Sequence, residues 1–216
     1  MLAGGCLADG SLSAAAARKP GPTRFFPDPS EILAKEIAFN RLAREKGQWV
    51  ALREMVAGDA VMFVPEKVAA PLWLKGRKDA PPPVRRDAWK AYVSCDGRLA
   101  AATGSWQGAG DEQGYFTTIW RRSRKGEWQW VLDHADRLDA PRDYGEALEG
   151  RVASCRGLKR DAPPADGGKR DAPPPPDDSL RWSYDVAPDG SREVRVSLWN
   201  GTAYDNVIDD RVRAPR

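Results

Sequence analysis

The single histidine of the sequence, His134, lies near the end of a segment in which apolar and polar residues alternate. Asp136 follows two positions later, so in a β-strand both side chains lie on one face. A histidine close to a carboxylate is suited to proton transfer at neutral pH. His134 and Asp136 are therefore candidate catalytic residues, and the alternative is a hydrogen-bonded structural histidine at a strand end.

Other chemistry is excluded by composition. One histidine and three scattered cysteines provide no set of ligands for a structural zinc ion, so we expect no metal. No glycine-rich phosphate loop follows a predicted strand, and we expect no cofactor. Thirty-four basic and 31 acidic residues give a net charge of +3 without a basic stripe, which argues against nucleic-acid binding. A mean hydropathy of −0.60 excludes a polytopic membrane protein.

The amino-terminal segment Leu2-Ala3-Gly4-Gly5-Cys6 resembles a bacterial lipobox, in which small residues precede a cysteine that becomes lipidated. Five residues precede Cys6, too few for a signal peptide, so either translation starts upstream of Met1 or the match is a chance one. In the first case we expect a periplasmic or cell-envelope protein whose contact with the membrane is a lipid anchor at Cys6. In the second case we expect a cytoplasmic protein.

Lipidation of Cys6 would leave Cys95 and Cys155 as an even pair. A disulfide between them would close a loop of roughly 60 residues and stabilise the fold by up to about 4 kcal/mol. The alternative is a pair of free thiols.

The tryptophans and prolines divide the chain. Seven of the nine tryptophans lie between Trp49 and Trp130, which marks packed structure there, whereas six of the 18 prolines lie between Cys155 and Asp178. The predicted segments are a flexible amino terminus (1–28), a main domain (29–140), a partly helical connection (141–158), a disordered linker (159–178) and a small β meander (179–216).

The main domain begins with predicted helices over 29–46 and 48–57, followed by a short strand over 60–64 and a helical turn over 71–75. Asp28, Pro29 and Glu31 form a helix start of the capping-box type. The apolar stripe of the first helix is imperfect, because Glu36 falls inside it.

After an irregular crossing at Pro81–Pro83 the hydrophobic period changes to two. Four strands joined by short turns are predicted, at Trp89–Ser94, Leu99–Trp106, Gly114–Arg122 and Trp128–Asp136. Three more are predicted in the tail, at Leu180–Ala187, Arg192–Trp199 and Tyr204–Ile208, with Trp182, Tyr184, Val186, Val194, Val196 and Leu198 pointing inward. Because three short strands have little core of their own, we expect them to dock on the main domain or on a second subunit.

This order of elements resembles the nuclear transport factor 2-like superfamily, which includes ketosteroid isomerases and SnoaL-like polyketide cyclases. The stretches "AFNRLAREKG", "SCDGRLAAATGSW" and "GYFTTIWRRSRKGEWQWVLDHAD" carry the resemblance over about residues 29–140. It implies an α+β fold in which N-terminal helices pack on a curved antiparallel four-stranded meander, a cystatin-like cone. The tail adds a small C-terminal three-stranded β meander.

The resemblance also implies an apolar pocket between the helices and the concave sheet face. By parity, Trp128, Trp130, Leu132 and His134 share the buried face, which would place His134 at the pocket rim. Tyr115 could then join His134 and Asp136 as a phenol donor. The candidate ligand-binding residues, each of which could instead fill the core, are Trp73, Tyr92, Trp106, Trp128 and Trp130.

Three functions follow as expectations. The first is an envelope protein that binds a small apolar molecule in the cone pocket. The second is an isomerase-, cyclase- or dehydratase-like enzyme that uses acid–base chemistry on a small hydrophobic carbonyl compound. The third is an interaction module that forms a homodimer through an exposed sheet face. The catalytic aspartate and tyrosine of the isomerases cannot be aligned with positions of this sequence, which leaves open whether the protein is an enzyme.

Overall fold

The structure is a computed structural model that describes Met1 and residues 25–78, 84–158 and 177–214. Most of the predicted tether and linker, together with Cys6 and the crossing at Pro81–Pro83, lies outside the described residues. Within the described residues, no helix is long and apolar enough to span a membrane.

Three helices precede the main part of the sheet. Helix α1 spans Pro29–Lys46, and the Asp28 carboxylate caps it by accepting a hydrogen bond from the Ser30 amide at 2.9 Å, as the sequence predicts. Gly47, with φ of 95°, ends α1 and leads directly into α2, which spans Gln48–Met55. The short helix α3 spans Ala70–Leu74.

A seven-stranded mixed sheet forms the body of the protein. Its spatial order is β2-β1-β6-β5-β4-β3-β7. Strands β3 to β6 form the predicted antiparallel meander, whereas β1 pairs with β6 in parallel and β7 pairs with β3 in parallel. The strand bounds are β1 Val56–Phe63, β2 Lys67–Ala69, β3 Arg85–Val93, β4 Leu99–Gln107, β5 Gln113–Arg122, β6 Trp128–Arg137 and β7 Glu149–Val152.

The predicted helical character of segment 141–158 is wrong, because residues 149–152 form strand β7. Leu148 and Val152, two apolar residues at helical spacing, are 61% and 42% exposed, so a helix here would have no buried face. The segment instead pairs with the edge of the sheet, with Lys90 opposite Glu149 and Val93 opposite Val152. This pairing satisfies backbone groups that an open edge strand would leave unpaired.

A second sheet contains the three strands predicted in the tail, β8 (Leu180–Val186), β9 (Arg192–Trp199) and β10 (Tyr204–Val212), in the order β10-β9-β8. Its buried residues Val194, Val196 and Leu198 join the same hydrophobic core as the main sheet, so the tail docks on the main domain. Val186 was expected to point inward and is instead 46% exposed, at the last position of β8.

The main sheet therefore has two covered faces. Helix α1 and helix α2 lie against the face that we call the inner face, and sheet β8–β10 lies against the face that we call the outer face. Cys95 and Cys155 form a disulfide, with a Cα–Cα distance of 5.3 Å. The Cys95 amide also donates to Oγ of Ser179 at 2.7 Å, so the disulfide lies where the main sheet meets the beginning of β8.

Candidate functional site

An extra residue in β6 decides which side chains reach each face of the sheet. Ile119 pairs with Leu132 and Trp120 pairs with Trp130, so Val131 is a β-bulge. Side chains alternate between the two faces along a strand, and the extra residue shifts this alternation by one position from here onward. The prediction that Trp130 and His134 share a face is wrong for this reason.

Hydrogen bonds confirm the two orientations. The indole N–H of Trp130 donates to the Leu52 carbonyl of α2 at 2.9 Å, which places Trp130 on the inner face. His134 Nδ1 accepts from Nε of Arg192 on β9 at 3.2 Å, which places His134 on the outer face. The bulge therefore places Trp130, a predicted ligand-binding residue, and His134, a predicted catalytic residue, on opposite faces of the sheet.

The inner face carries a group of buried polar residues that we call the inner cluster: Glu36, Arg86, Thr118, Trp120 and Asp133. Glu36 comes from α1 and is 1% exposed. Its Oε1 accepts the indole N–H of Trp120 at 2.9 Å, whereas its Oε2 is buried without a hydrogen-bond partner among the described residues. Burial raises the pKa of Glu36 to about 7, against the opposing effects of the Arg86 charge and the Trp120 hydrogen bond.

The rest of the inner cluster is satisfied internally. Nη2 of Arg86 donates to both carboxylate oxygens of Asp133, at 2.9 and 2.8 Å, and Thr118 Oγ1 donates to Asp133 at 3.0 Å. The guanidinium lies 4.5 Å from the ring centroid of Phe116. The Arg86 amide donates to Asn40 Oδ1 at 2.9 Å, which ties this strand to α1. Arg86 is therefore held in place, and Glu36 is the member of the cluster with an unfilled hydrogen bond.

The inner cluster opens into a groove of about 530 Å³ between α1 and the beginning of β3. Glu36 and Arg86 lie at its buried end, and Asn40 lies along it. Its remaining lining residues are Leu33, Ile37, Arg44, Arg85, Asp87, Ala88, Trp89 and Leu148. An open groove with apolar walls and a few polar groups has the composition of a small-molecule site.

The outer face carries a second buried polar group, which we call the outer cluster: Tyr115, Thr117, His134, Arg192 and Asp210. Asp210 of β10 accepts from Thr117 Oγ1 at 2.6 Å and from Nη1 of Arg142 at 2.5 Å. Arg142 comes from the segment after β6, so three parts of the chain meet at one carboxylate. The outer cluster fastens sheet β8–β10 to the main sheet.

His134 is 1% exposed within the outer cluster. Burial, and then the positive charge of Arg192, lowers the pKa of His134 to about 3, so the ring is neutral at pH 7. Because Nδ1 accepts from Arg192, the proton lies on Nε2, which is 3.8 Å from Asp210 and has no hydrogen-bond partner among the described residues. A buried neutral histidine with this surrounding has no access to a substrate in this structure.

The other predicted catalytic residues do not assemble around a cavity with His134. The Tyr115 hydroxyl is buried without a partner among the described residues, and burial raises its pKa. Asp136 lies near the end of β6, where it lines a different groove, of about 840 Å³, beside Trp106, Phe63 and Arg192. Their catalytic role remains a prediction.

The predicted ligand-binding residues are dispersed, and none of them lines the groove at the inner cluster. Trp128 and Trp130 are buried against the helices, and their indole groups donate to Glu31 and Leu52. Tyr92 is buried on the outer face, where burial raises its pKa to about 12. Trp106 donates to the Asp136 carbonyl at 3.1 Å. Trp73 packs against Trp49, with ring centroids 5.1 Å apart.

Sequence reasoning did not assign a role to the residues of the inner cluster. One indication was present, since Glu36 is a charged residue inside an apolar stripe. Arg86 could not be recognised because it lies before the predicted strand, in a part of β3 that a second bulge, between the pairs Ala88–Gly104 and Lys90–Thr103, separates from the rest. Asp133 could not be recognised because the bulge in β6 shifts it to the inner face.

Comparison with known proteins finds no matching family model and no matching curated protein. Among the solved structures similar to this chain is a protein of Parabacteroides distasonis provisionally described as a ketosteroid isomerase, with 18% identity, a TM-score of 0.40, and coverage of 51% of this chain and 88% of that chain. Another, of Novosphingobium aromaticivorans, is provisionally described as an aromatic ring hydroxylase, with 15% identity, a TM-score of 0.40, and coverage of 52% and 90%.

A third is an NTF2-like protein of unknown function from Shewanella baltica, with 9% identity, a TM-score of 0.38, and coverage of 51% and 94%. Each of these similarities covers about half of this chain. The order and packing of its own elements confirm the α+β class, with N-terminal helices on a sheet built around a four-stranded meander and a separate three-stranded sheet.

Proposed function

We propose that this protein binds a small, largely apolar molecule in the groove at the inner cluster, with a polar group of the ligand hydrogen-bonded to Glu36. The observation that carries the proposal is the Oε2 atom of Glu36, which is buried without a partner among the described residues while Glu36 is one of the residues that line an open groove. A buried polar atom without a hydrogen bond costs free energy, and a ligand could supply the missing bond. A ketone is a suitable probe because its oxygen can accept a hydrogen bond from the neutral carboxyl group.

The proposal is tested by the shift in melting temperature that 2-decanone produces in the wild type and three variants. We expect stabilisation of the wild type and of Glu36→Gln, whose amide can donate the same hydrogen bond. We expect a much smaller shift for Glu36→Leu, which removes the donor. Glu45→Leu is the matched control, because Glu45 lies on the exposed side of α1 in an ion pair with Arg41. Equal shifts in all four proteins, or none in the wild type, would contradict the proposal.

A second candidate function is acid–base catalysis on a small hydrophobic carbonyl compound. It is favoured by the pKa of Glu36, which burial raises to about 7, because a group that titrates near neutrality can both remove and return a proton. In this function the Glu36 carboxylate removes a proton from the carbon next to the carbonyl group. Exchange of these hydrogens of 2-decanone in D₂O, followed by NMR, measures the step. Exchange that is lost in Glu36→Gln while binding persists would identify an enzyme.

We also infer a location in the bacterial envelope. The Cys95–Cys155 disulfide supports this inference, since disulfides persist in oxidising compartments and are rare in the cytosol. Lipidation at Cys6 remains part of the proposal, and mass spectrometry of the protein from a membrane fraction tests it. The homodimer hypothesis has less support, because sheet β8–β10 covers the outer sheet face on which such a dimer would form.

A further inference from the structure

Three polar residues of α1 line the groove at intervals of one helical turn: Glu36, Asn40 and Arg44. Their exposure increases along the helix, because Glu36 is buried, Asn40 is half-buried and Arg44 is exposed. Eight residues at 1.5 Å rise separate the ends of this row by about 12 Å. The groove thus has a carboxyl group at its closed end and a guanidinium group at its open end.

The positive charge at the open end is not neutralised within the described residues. Arg44 forms no ion pair there, whereas its neighbours Arg41 and Lys46 pair with Glu45 and Glu54 at 2.8 and 3.2 Å. Arg85 lies on the opposite side of the groove, where its charge is balanced by Asp87 at 3.1 Å. Arg44 is therefore available to a negatively charged group that enters the groove.

Between its two polar ends, the groove is lined by apolar side chains as well as by Asn40. Leu33 and Ile37 of α1 form one wall, and Trp89 and Leu148 contribute to the other. Ile37 and Leu148 are 69% and 61% exposed. An extended hydrocarbon chain bound between them would remove both from water.

We propose that the ligand of this groove is an amphiphilic monocarboxylate, with its carboxylate at Arg44, an apolar body of about 12 Å along α1, and a hydrogen-bonding group such as a ketone at Glu36. A singly charged carboxylate fits better than a doubly charged phosphate, because Glu36 and Asp87 also line the groove. This inference rests on the proposed function and adds the charge and the orientation of the ligand.

A matched pair of compounds tests the inference. 9-Oxodecanoate differs from 2-decanone only in the replacement of the terminal methyl group by a carboxylate. By isothermal titration calorimetry at low ionic strength, we expect wild-type protein to bind the keto acid roughly five- to tenfold more tightly than the ketone. Arg44→Gln should reduce the affinity for the keto acid to that for the ketone. Arg41→Gln, which removes the same charge outside the groove, should retain the preference.

The outcomes separate the two proposals. If the ketone binds but the keto acid binds no more tightly, or if Arg44→Gln retains the preference, the inference about charge is overturned and the proposed binding function stands. If neither compound binds to the wild-type protein, the proposed function fails and the inference fails with it. A preference that disappears in Arg44→Gln and persists in Arg41→Gln supports both.

Discussion

The two polar clusters lie on opposite faces of one sheet and differ in what covers them. Both contain buried atoms without a hydrogen bond among the described residues, Glu36 Oε2 in the inner cluster and His134 Nε2 in the outer cluster. Glu36 itself lines a groove, whereas in the outer cluster only Arg192 lines one and His134 lies beneath strand β9. An unsatisfied buried group therefore indicates a binding site only where a ligand can reach it.

The two clusters also respond to pH in opposite directions. The pKa of Glu36 is raised from 4.5 to about 7, so its contribution to stability is fully present below pH 4.5 and is lost as the pH rises through 7. The pKa of His134 is lowered from 6.5 to about 3. As the pH falls below 6.5, His134 therefore takes up a proton in the unfolded chain but not in the folded chain, and the folded protein becomes less stable in acid.

The largest expected effect is the loss of stability when the disulfide beside sheet β8–β10 is removed. Replacement of both Cys95 and Cys155 by serine should lower the free energy of unfolding by about 4 kcal/mol, because the disulfide closes a long loop in the unfolded chain. Urea denaturation measures the loss. Ligand binding in the groove should persist under native conditions, since the disulfide lies at the beginning of β8 and not at the groove. A loss below about 1 kcal/mol would contradict this role for the disulfide.

Removal of the carboxylate at the centre of the outer cluster should be nearly as damaging. Asp210→Ala leaves the Thr117 hydroxyl and the Arg142 guanidinium without their acceptor, at an expected cost of about 3 kcal/mol. Asp209→Ala is the control, because Asp209 pairs with Arg211, which is 66% exposed, and should cost little. Similar denaturation midpoints for the two variants would show that the outer cluster does not fasten the second sheet.

In the inner cluster, a substitution is expected to raise stability instead of lowering it. Glu36→Gln retains an acceptor for the Trp120 indole and removes a carboxylate that must ionise in a buried place. Relative to the wild type, the variant should gain roughly 2 to 3 kcal/mol of stability between pH 5 and pH 8.5. Urea denaturation at both pH values measures this difference. A difference independent of pH would mean that the Glu36 carboxyl is not desolvated.

The smallest expected effect is on ligand affinity when the histidine is removed. His134→Ala should lower stability, because Arg192 loses an acceptor and a cavity forms beside Phe63. The affinity for 2-decanone should stay within about twofold of the wild type, as judged by calorimetry. A loss of binding as large as that of Glu36→Leu would contradict this account and show that His134 belongs to the binding site.

The elements of the fold could be predicted from sequence because local patterns specify them. The cap at Asp28 and the period of two from residue 89 onward both gave elements that the structure contains. The parity of β6 could not be predicted, because the bulge at Val131 arises from its pairing with β5 and leaves no pattern in the strand itself. Strand β7 could not be predicted because Leu148, which precedes it, and Val152, which lies in it, have the spacing of a helix.

The site could be predicted only in part for the same reason. The pocket between helices and sheet is implied only by the family resemblance and stays a prediction, whereas Glu36 is recognisable in the sequence as a charge within an apolar stripe. The choice of His134 rested on residue type and on a parity that the bulge reverses. Whether a polar residue is open to a ligand or enclosed depends on what packs over it. Over His134 this is sheet β8–β10, which begins 46 residues later in the chain, at Leu180.

Titration of the Glu36 carboxyl carbon by ¹³C NMR, with and without 2-decanone, tests the central claim most directly. The structure predicts a midpoint near pH 7 in the free protein. With the ketone bound, the midpoint should rise, because a hydrogen bond from the neutral carboxyl to the ligand oxygen favours the protonated form. A midpoint near 4.5 that does not respond to the ketone would show that Glu36 is solvated and that the groove is not the site.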